Sequence, residues 1–284
     1  MTIVPDPLAA ACRGVPERMA WLARLPIVIQ ELGSKWELSL GQPWSNDASC
    51  SWVAPAVRRN GTRAVLKLGM PHLESADEID GLRFWNGEPT VRVYEADSDL
   101  QAMLLERCEP GTSLRDLPDA EADVVIAGLL HRMWRKPPEK PSFRPLSLML
   151  AAWTDETLGA REKWADPGLV QAGLRLFEEL AGASPDDVLL ATDLHAGNVL
   201  RARRAPWLVI DPKPFVGDRA YDATQHLFNC QLRMAAAPLA TIGRFADLLA
   251  VDRERVRSWM FARSAAEPRE QWTHDSQAIA RALK

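Results

Sequence analysis

Three polar residues whose types suit phosphate chemistry lie close together in the second half of the chain. Asp193 is followed five positions later by Asn198, and Asp211 comes directly after the apolar run Trp207–Ile210. A carboxylate can accept the proton of an attacking hydroxyl, while an amide oxygen and a second carboxylate can hold Mg²⁺ against nucleotide phosphates. Each residue alone is ordinary in a turn. Their joint occurrence therefore predicts a phosphoryl-transfer centre.

A lysine inside an apolar strand is the second chemical signal. Lys67 lies in the run 63–68, RAVLKL, where a buried ammonium is costly unless its charge has a partner. In kinases such a lysine reaches the nucleotide phosphates and pairs with a glutamate on the next helix. Glu74 and Glu78 are four residues apart on the helix predicted there, so they would share a face. The alternative is an edge-strand lysine whose charge reaches water.

Several stretches resemble one family of small-molecule kinases. The loop Asp193–Asn198, DLHAGN, resembles the catalytic loop of aminoglycoside kinases, which is related to the D-x-x-x-x-N loop of protein kinases. The streptomycin and hydroxyurea phosphotransferase family is similar to the chain in three longer runs: NGTRAVLKLGM at 60–70, LLERCEPGTSL at 104–114 and PWLVIDPKPFVGDRAYD at 206–222.

The resemblance implies a bilobal, protein-kinase-like fold, with ATP as cosubstrate between the lobes and Mg²⁺ as cofactor. Its substrate would be a small hydroxylated molecule, foremost a streptomycin-type aminoglycoside, with hydroxyurea or an endogenous metabolite as alternatives. Main-chain atoms of the segment 106–108 would meet the adenine. The roles that the resemblance assigns are the base for Asp193, metal ligation for Asn198 and Asp211, and nucleotide binding for Lys67, Glu78, Glu106, Cys108 and His195.

Two residues, His195 and Asp222, each have more than one possible role. His195 could donate to the γ-phosphate, or it could shape the loop. Asp222 could hydrogen-bond the main chain of the catalytic loop, cap a helix, or do both. Asp218 is expected to be a turn residue.

For a guanidinium-bearing substrate, carboxylates are the natural partners. Each candidate could instead be a solvated helix residue, and the candidates are Asp155, Glu156, Glu178 and Glu179.

Two features depart from the kinase pattern. Ala191 stands where many kinases have a histidine, and the turn Ser45–Ser49 has no glycine, unlike the phosphate-covering loop of protein kinases. The glycine-free turn disfavours a protein kinase, and the two features together are the ones that favour a catalytically silent, kinase-like binding protein. An enzyme is favoured by the joint retention of Lys67, Asp193, Asn198 and Asp211.

The surrounding pattern predicts an α+β fold in two parts. The N-terminal lobe, 1–106, would hold a helix over 15–32 with a break at Pro26, five antiparallel strands and a helix over 73–85. Its strands are predicted at 35–40, 51–58, 63–68, 90–95 and 101–106, and Asn60-Gly61 forms a hairpin turn. A hinge over 107–111 would lead to a mainly helical C-terminal lobe, 112–284. Its helices are expected at 119–136, with Asp119 as cap, 146–164, 168–183 and from 222, around short strands at 188–190, 199–201 and 207–210.

Composition narrows the classes of function. The 284 residues carry a formal net charge of −4, which argues against non-specific nucleic-acid binding because that requires a basic field. The N-terminal residues lack the pattern of a signal peptide, and no apolar run is long enough to span a bilayer. The four cysteines are scattered, without a histidine at metal-ligand spacing. We therefore expect a cytoplasmic protein with reduced thiols, bound neither to membranes nor to nucleic acid.

Overall fold

The computed structural model describes residues 4–44, 50–140, 143–273 and 275–284. Two compact units make up the chain. The first contains Met1–Thr112 together with Arg201–Ile210, and the second contains Ser113–Leu200 and Asp211–Lys284. The sequence patterns assigned 201–210 to the C-terminal lobe, whereas these residues cluster with the first unit. The glycine-free turn Ser45–Ser49 lies outside the described residues.

An antiparallel sheet of five strands forms the centre of the first unit, and with the helical second unit it confirms the α+β prediction. Its order is β1-β2-β3-β5-β4, and the strands are β1 Leu38–Leu40, β2 Ser51–Arg58, β3 Arg63–Gly69, β4 Val93–Asp97 and β5 Ala102–Glu106. The turn between β2 and β3 has Gly61 at φ 82°, a backbone region that glycine enters without strain. The Gly61 N–H donates to the Arg58 carbonyl at 2.8 Å.

Both faces of this sheet are covered, because side chains alternate along each strand. Helices α1, Asp6–Ala11, and α2, Pro16–Lys35, pack on the face that receives Leu66 of β3 and Leu104 of β5. Met103 and Leu105 point to the opposite face and pack against α3, Glu78–Trp85. The same alternation places Lys67 on the α3 face. The predicted helix over 73–85 is wrong in its first half, where Leu73–Ser75 forms a separate 3₁₀ turn.

The segment 201–210 joins the first unit through apolar and polar contacts. Its short strand β8, Leu208–Val209, buries Leu208 among the residues that pack on α3. Val209 exchanges main-chain hydrogen bonds with Pro89 and Val91 at 3.1 and 3.0 Å. Arg204 adds side-chain bonds to the Gly87 and Thr90 carbonyls at 2.8 and 3.0 Å. No local sequence pattern in 201–210 predicts contacts with these partners, which lie about a hundred residues earlier in the chain.

The second unit is helical around the short strands β6, β7 and β9. Its helices are α4 Asp119–Met133, α5 Leu146–Gly159, α6 Pro167–Leu180, α7 Arg219–Asn229, α8 Gln231–Ala236, α9 Pro238–Leu249, α10 Arg253–Ala266 and α11 Ala278–Leu283. Strand β6, Val188–Leu190, pairs antiparallel with β9, Phe215–Gly217, a strand that the sequence patterns did not predict, and β7 spans Val199–Leu200. Asp119 is the first residue of α4 and makes no capping bond, so its predicted role is wrong.

Helix α10 packs against α6, α7, α9 and α11. Its contact with α6 is close because Gly173 has no side chain. A Cβ at Gly173 would lie 2.8 Å from the Cβ atoms of both Ala265 and Ala266. The end of α10 is thereby fixed against the rest of the second unit.

Helix α2 runs through Pro26 without interruption, so the predicted break is wrong. Pro26 has no N–H to donate to the preceding turn, and the helix continues because Leu25, Val28 and Leu32 are buried against the sheet. Among the residues described by the structure, neither α2 nor any other helix is long and apolar enough to cross a membrane.

Replacing this exposed proline should stabilise the protein. Pro26→Ala restores a main-chain donor and removes a steric clash, so we expect the free energy of unfolding to rise by about 1–3 kcal/mol. Pro16→Ala is the matched control, because Pro16 is the first residue of the same helix, where its missing N–H costs nothing. The measurement is the thermal unfolding midpoint of each variant. A midpoint lowered by Pro26→Ala but not by Pro16→Ala would contradict this account.

Candidate active site

The loop between β6 and β7 brings together Asp193 and Asn198. The Asn198 amide nitrogen donates to the main-chain oxygen of Asp193 at 2.9 Å and lies 3.4 Å from its Oδ2. A 3₁₀ turn over Ala196–Asn198 closes the loop, and the His195 Nδ1 accepts the Gly197 N–H at 3.0 Å. The five-residue spacing thus places a carboxylate and an amide in direct contact.

Helix α7 holds this loop through the buried side chain of Asp222. Its carboxylate accepts the main-chain N–H groups of Ala191 and Thr192 at 3.0 and 2.8 Å, and the Trp134 indole N–H at 2.9 Å. Burial raises the pKa of Asp222 to about 6, against the effect of these donors. The helix cap is Asp218, which accepts the Ala220 N–H at 3.0 Å. Asp222 therefore bonds the main chain of the loop, and Asp218 caps the helix.

The segment that carries Asp211 is tied to the start of the same loop. The Lys213 N–H donates to the Ala191 carbonyl at 2.8 Å, and the Thr192 hydroxyl donates to the Lys213 carbonyl at 2.5 Å. The Lys213 ammonium pairs with the Asp211 carboxylate. Asp211 and Thr192 both have left-handed backbones, with φ of 54° and 48°. Such conformations cost about 1–3 kcal/mol each and cluster at functional sites.

His195 is neutral at physiological pH. Burial, followed by the charges of Arg115 and His226, lowers the pKa of His195 to about 4. Since Nδ1 accepts a hydrogen bond, the proton of the neutral ring belongs on Nε2. Arg115, which the sequence analysis missed, lies against the loop at Gly197, where a Cβ would come within 2.6 Å of the guanidinium carbon. A larger residue at position 197 would have to displace this guanidinium, which is the end of an exposed, flexible side chain.

The donor atoms of Asn198 and Asp211 suit Mg²⁺. The Asn198 nitrogen is engaged with Asp193, so Oδ1 is the atom that this amide can offer to a cation. Asp211 offers a carboxylate. Its ion-pair partner is the Lys213 ammonium, so a positive charge is already accommodated beside this carboxylate. Amide and carboxylate oxygens are the hard ligands that Mg²⁺ prefers. The residues present thus fit the metal.

Lys67 and Glu78 form a buried ion pair in the first unit. Their Nζ and Oε1 atoms are 2.5 Å apart, and the residues are 5% and 1% exposed. Glu78 is the first residue of α3, where the helix dipole favours a negative charge. Glu74 lies in the separate 3₁₀ turn, so the argument that Glu74 and Glu78 share a helix face does not apply.

Glu106 and Cys108 have side chains occupied within the first unit. Glu106 accepts hydrogen bonds from the Arg204 guanidinium and the Arg92 N–H. Burial would raise the pKa of Glu106, but Arg204 and Arg92 hold it below its usual value. Burial, reinforced by Glu106, raises the pKa of the Cys108 thiol to about 12. Neither side chain is suited to meet a phosphate.

One cysteine lies beside a histidine, contrary to the sequence expectation. Asp123, His226 and Cys230 offer ligand atoms within 4.8 Å of one another. However, Arg233 donates to both Asp123 oxygens at 2.7 and 2.8 Å and to the Cys230 sulfur at 2.9 Å. Burial lowers the pKa of His226, but Asp123 and Cys230 raise it to about 9, so the ring is charged. The group is an ion-pair cluster.

The four carboxylates considered for substrate binding lie on α5 and α6. Asp155 and Glu178 line a groove of about 470 Å³ between these helices, together with Arg175. Glu156 and Glu179 are exposed. The groove lining is mainly apolar, so it does not single out any of the four carboxylates as a substrate-binding residue.

The Lys67–Glu78 pair allows a test of its contribution to folding. Lys67→Met removes the ammonium that neutralises buried Glu78, and we expect a loss of about 3–5 kcal/mol in the free energy of unfolding. The double variant Lys67→Met/Glu78→Met replaces both charges by apolar groups of similar volume and should recover most of that loss. Urea unfolding of both variants measures this. A double variant no more stable than Lys67→Met would refute the charge-pair explanation.

Comparisons with known proteins agree with this geometry. Residues 36–273 match the family described as aminoglycoside/hydroxyurea antibiotic resistance kinase. The chain is 37% identical over 276 residues to the streptomycin 6-kinase of Streptomyces glaucescens, covering 92% of this chain and 88% of that protein. It is also 37% identical over 248 residues to the hydroxyurea phosphotransferase of Kitasatospora aureofaciens, covering 84% and 71%.

A solved structure gives the same fold. The choline kinase LicA from Streptococcus pneumoniae superposes with a TM-score of 0.63 at 13% identity, covering 91% of this chain and 98% of that one. At this identity the similarity concerns the fold, and it confirms the kinase-like architecture. With a family match over most of its length and relatives at 37% identity, the chain belongs to the aminoglycoside/hydroxyurea antibiotic resistance kinases and is a phosphotransferase.

Proposed function

We propose that the protein transfers the γ-phosphate of ATP to a hydroxyl of a streptomycin-type aminoglycoside. The observation that carries the substrate is the 37% identity to a streptomycin 6-kinase over 92% of the chain. The loop geometry supports the chemistry, since Asp193 and Asn198 are in contact and the Asp211 segment is bonded to the same loop. Because the reaction consumes ATP, we further propose that it takes place in the cytoplasm.

Asp193 acts as the base in this proposal. Its carboxylate accepts the proton of the substrate hydroxyl as the oxygen attacks the γ-phosphorus, and the bond from that phosphorus to the bridging oxygen breaks to release ADP. Asn198 and Asp211 would hold Mg²⁺, which when bound neutralises charge on the phosphate oxygens. Asp222 keeps the loop in place from α7. His195 Nε2–H is a donor that can meet a phosphate oxygen, while its Nδ1 shapes the loop.

Lys67 would bind the nucleotide phosphates, with Glu78 orienting its ammonium. The main chain of the segment 106–108 would meet the adenine. The variant Lys67→Met/Glu78→Met separates folding from function, because it keeps a packed interior but has no phosphate-binding ammonium. It should therefore fold and yet bind ATP weakly.

Hydroxyurea is a second candidate substrate. It is favoured by the 37% identity to a hydroxyurea phosphotransferase over 248 residues. Both candidates present a hydroxyl to the same base, so they differ in the size of the acceptor and not in the chemistry.

Product analysis tests the proposed substrate. Purified protein is incubated with Mg·ATP and, separately, with streptomycin, kanamycin or hydroxyurea, and each compound is examined by mass spectrometry. We expect one phosphoryl group on streptomycin and none on kanamycin, because discrimination depends on placed hydrogen-bond partners. Phosphorylation of hydroxyurea alone would transfer the assignment to the second candidate. Phosphorylation of kanamycin but not streptomycin would exclude the streptomycin proposal.

Asp193→Asn is the chemical control for the same assay. It should retain ATP binding and lower kcat by about 10²–10⁴-fold, the usual contribution of a positioned base. Near wild-type turnover in this variant would exclude Asp193 as the base.

The two proposed metal ligands should differ in their response to Mg²⁺. Asp211→Ala should abolish turnover at every Mg²⁺ concentration, because a charged ligand is lost. Asn198→Ala should be weaker and partly restored by excess Mg²⁺, because a neutral ligand is easier to replace. The measurement is kcat against Mg²⁺ concentration, with thermal unfolding midpoints to verify folding. Equal and mild effects of both substitutions would contradict the metal assignment.

A further inference from the structure

The Asp193 carboxylate has a hydrogen-bond partner that the loop motif does not contain. Gln225 on α7 donates its Nε2 to Asp193 Oδ1 at 2.8 Å. Gln225 follows Asp222 by three residues, so both side chains leave α7 on the same face. Asp222 bonds the main chain of the loop, whereas Gln225 bonds the side chain of Asp193.

The orientation of the Gln225 amide is determined by its other neighbour. Arg263 Nη2 donates to Gln225 Oε1 at 3.0 Å. A guanidinium has only donors, so the amide oxygen must face Arg263 and the NH₂ group must face Asp193. The two ends of this amide, which are otherwise interchangeable, are therefore distinguished.

Arg263 is itself held on several sides. Its Nε and Nη2 donate to the two Glu267 oxygens at 2.9 and 3.0 Å, and its Nη1 donates to Thr224 Oγ1 at 2.6 Å. Only 4% of the residue is exposed, and rings of Trp153, Tyr221 and Phe228 lie 5.0–5.5 Å from its guanidinium carbon. Burial disfavours the charged form, but Glu267, together with Tyr221 and Asp193, keeps the pKa of Arg263 raised. A bidentate pair with a buried guanidinium has a fixed geometry.

We propose that Gln225, oriented by the Arg263–Glu267 pair, is the positioning residue for the Asp193 carboxylate. The inference rests on the proposed function in so far as Asp193 is taken as the base. A hydrogen bond to Oδ1 fixes the rotation of the carboxyl group, and a base must be aligned with the proton that it removes. A glutamate at position 225 could not serve, because two carboxylates at this distance repel each other. The end of α10 thereby takes part in aligning the loop between β6 and β7.

Gln225→Met tests this role, because it keeps the volume of the side chain and removes both ends of the amide. We expect kcat to fall by about 10–10²-fold, the range that a slightly misplaced group costs, with the KM for ATP unchanged. Gln277→Met is the matched control, since Gln277 is a buried glutamine whose bond, to the Ala265 carbonyl, does not involve Asp193. It should lower the unfolding midpoint without lowering kcat. Equal losses of kcat in both variants would overturn the proposal.

A double variant separates positioning from general damage. If Gln225 acts through Asp193, then Gln225→Met should cause no further loss of kcat in an Asp193→Asn background. Losses that multiply in Asp193→Asn/Gln225→Met would show that Gln225 acts independently of the base, and would overturn the proposal.

A substrate-free measurement keeps this test distinct from that of the proposed function. In protein labelled with ¹⁵N-glutamine, the side-chain signals of Gln225 are those absent from Gln225→Met. Asp193→Ala should shift them, because the carboxylate acceptor is lost. If the wild type phosphorylates no compound of the panel, the proposed substrates fail while this shift still supports the Gln225–Asp193 contact. Unchanged signals in Asp193→Ala would overturn the positioning role whatever the substrate.

Discussion

Asp222 has almost no contact with water and is surrounded by hydrogen-bond donors. Two of these donors are successive main-chain N–H groups, of Ala191 and Thr192, at the start of the loop that carries Asp193. A buried carboxylate is tolerable only when its oxygens are satisfied, so the loop and α7 can hardly separate without a large loss of free energy. The Lys213 N–H then bonds the same Ala191 residue through its carbonyl, which brings the Asp211 segment to this anchor. The geometry of the second unit's site depends on this one carboxylate.

Three other charged groups inside the protein are arranged as pairs with directional bonds. Lys67 meets Glu78 in the first unit, and in the second unit Arg263 meets Glu267 and Arg233 meets Asp123. Each pair contains at least one buried charge, and such pairs add little net stability compared with apolar packing because removing a charge from water is costly. They do specify orientation, since a guanidinium fork or a short ammonium bond permits few arrangements. The pairs of Lys67 and Arg263 occur where the orientation of a side chain affects the proposed chemistry.

Sequence reasoning succeeded where the information is local. The Asn60-Gly61 turn, the strands on either side of it and the kinase-like fold were predicted, because turn chemistry, two-residue alternation and a family motif can be read over a few residues. It failed where distant partners decide. The helix at Pro26 continues because its apolar face is buried, and β9 exists because β6 is there to pair with it.

The same limit applies to the site. The contact between Asp193 and Asn198 follows from a spacing of five, and the structure places both in one loop. Gln225 and Arg263 carry no local signal, since the first is an ordinary helix residue and the second lies 70 residues beyond Asp193 in a charged helix. The sequence predicts that Asp222 bonds the loop or caps the helix. Only the fold shows that Asp222 bonds the loop and that Asp218 is the cap. Contacts between helices are not encoded in any single window of the sequence.

The discontinuity of the first unit has a consequence for how the chain folds during its synthesis. Domains generally fold as units while the chain emerges from the ribosome. The first unit lacks Leu208 from its α3-facing core, and Arg204 from its contacts with Glu106 and Gly87, until residue 210 has been made. A nascent chain that ends near residue 112 therefore exposes part of this core. It must wait, open to chaperones and proteases, while nearly a hundred further residues are translated.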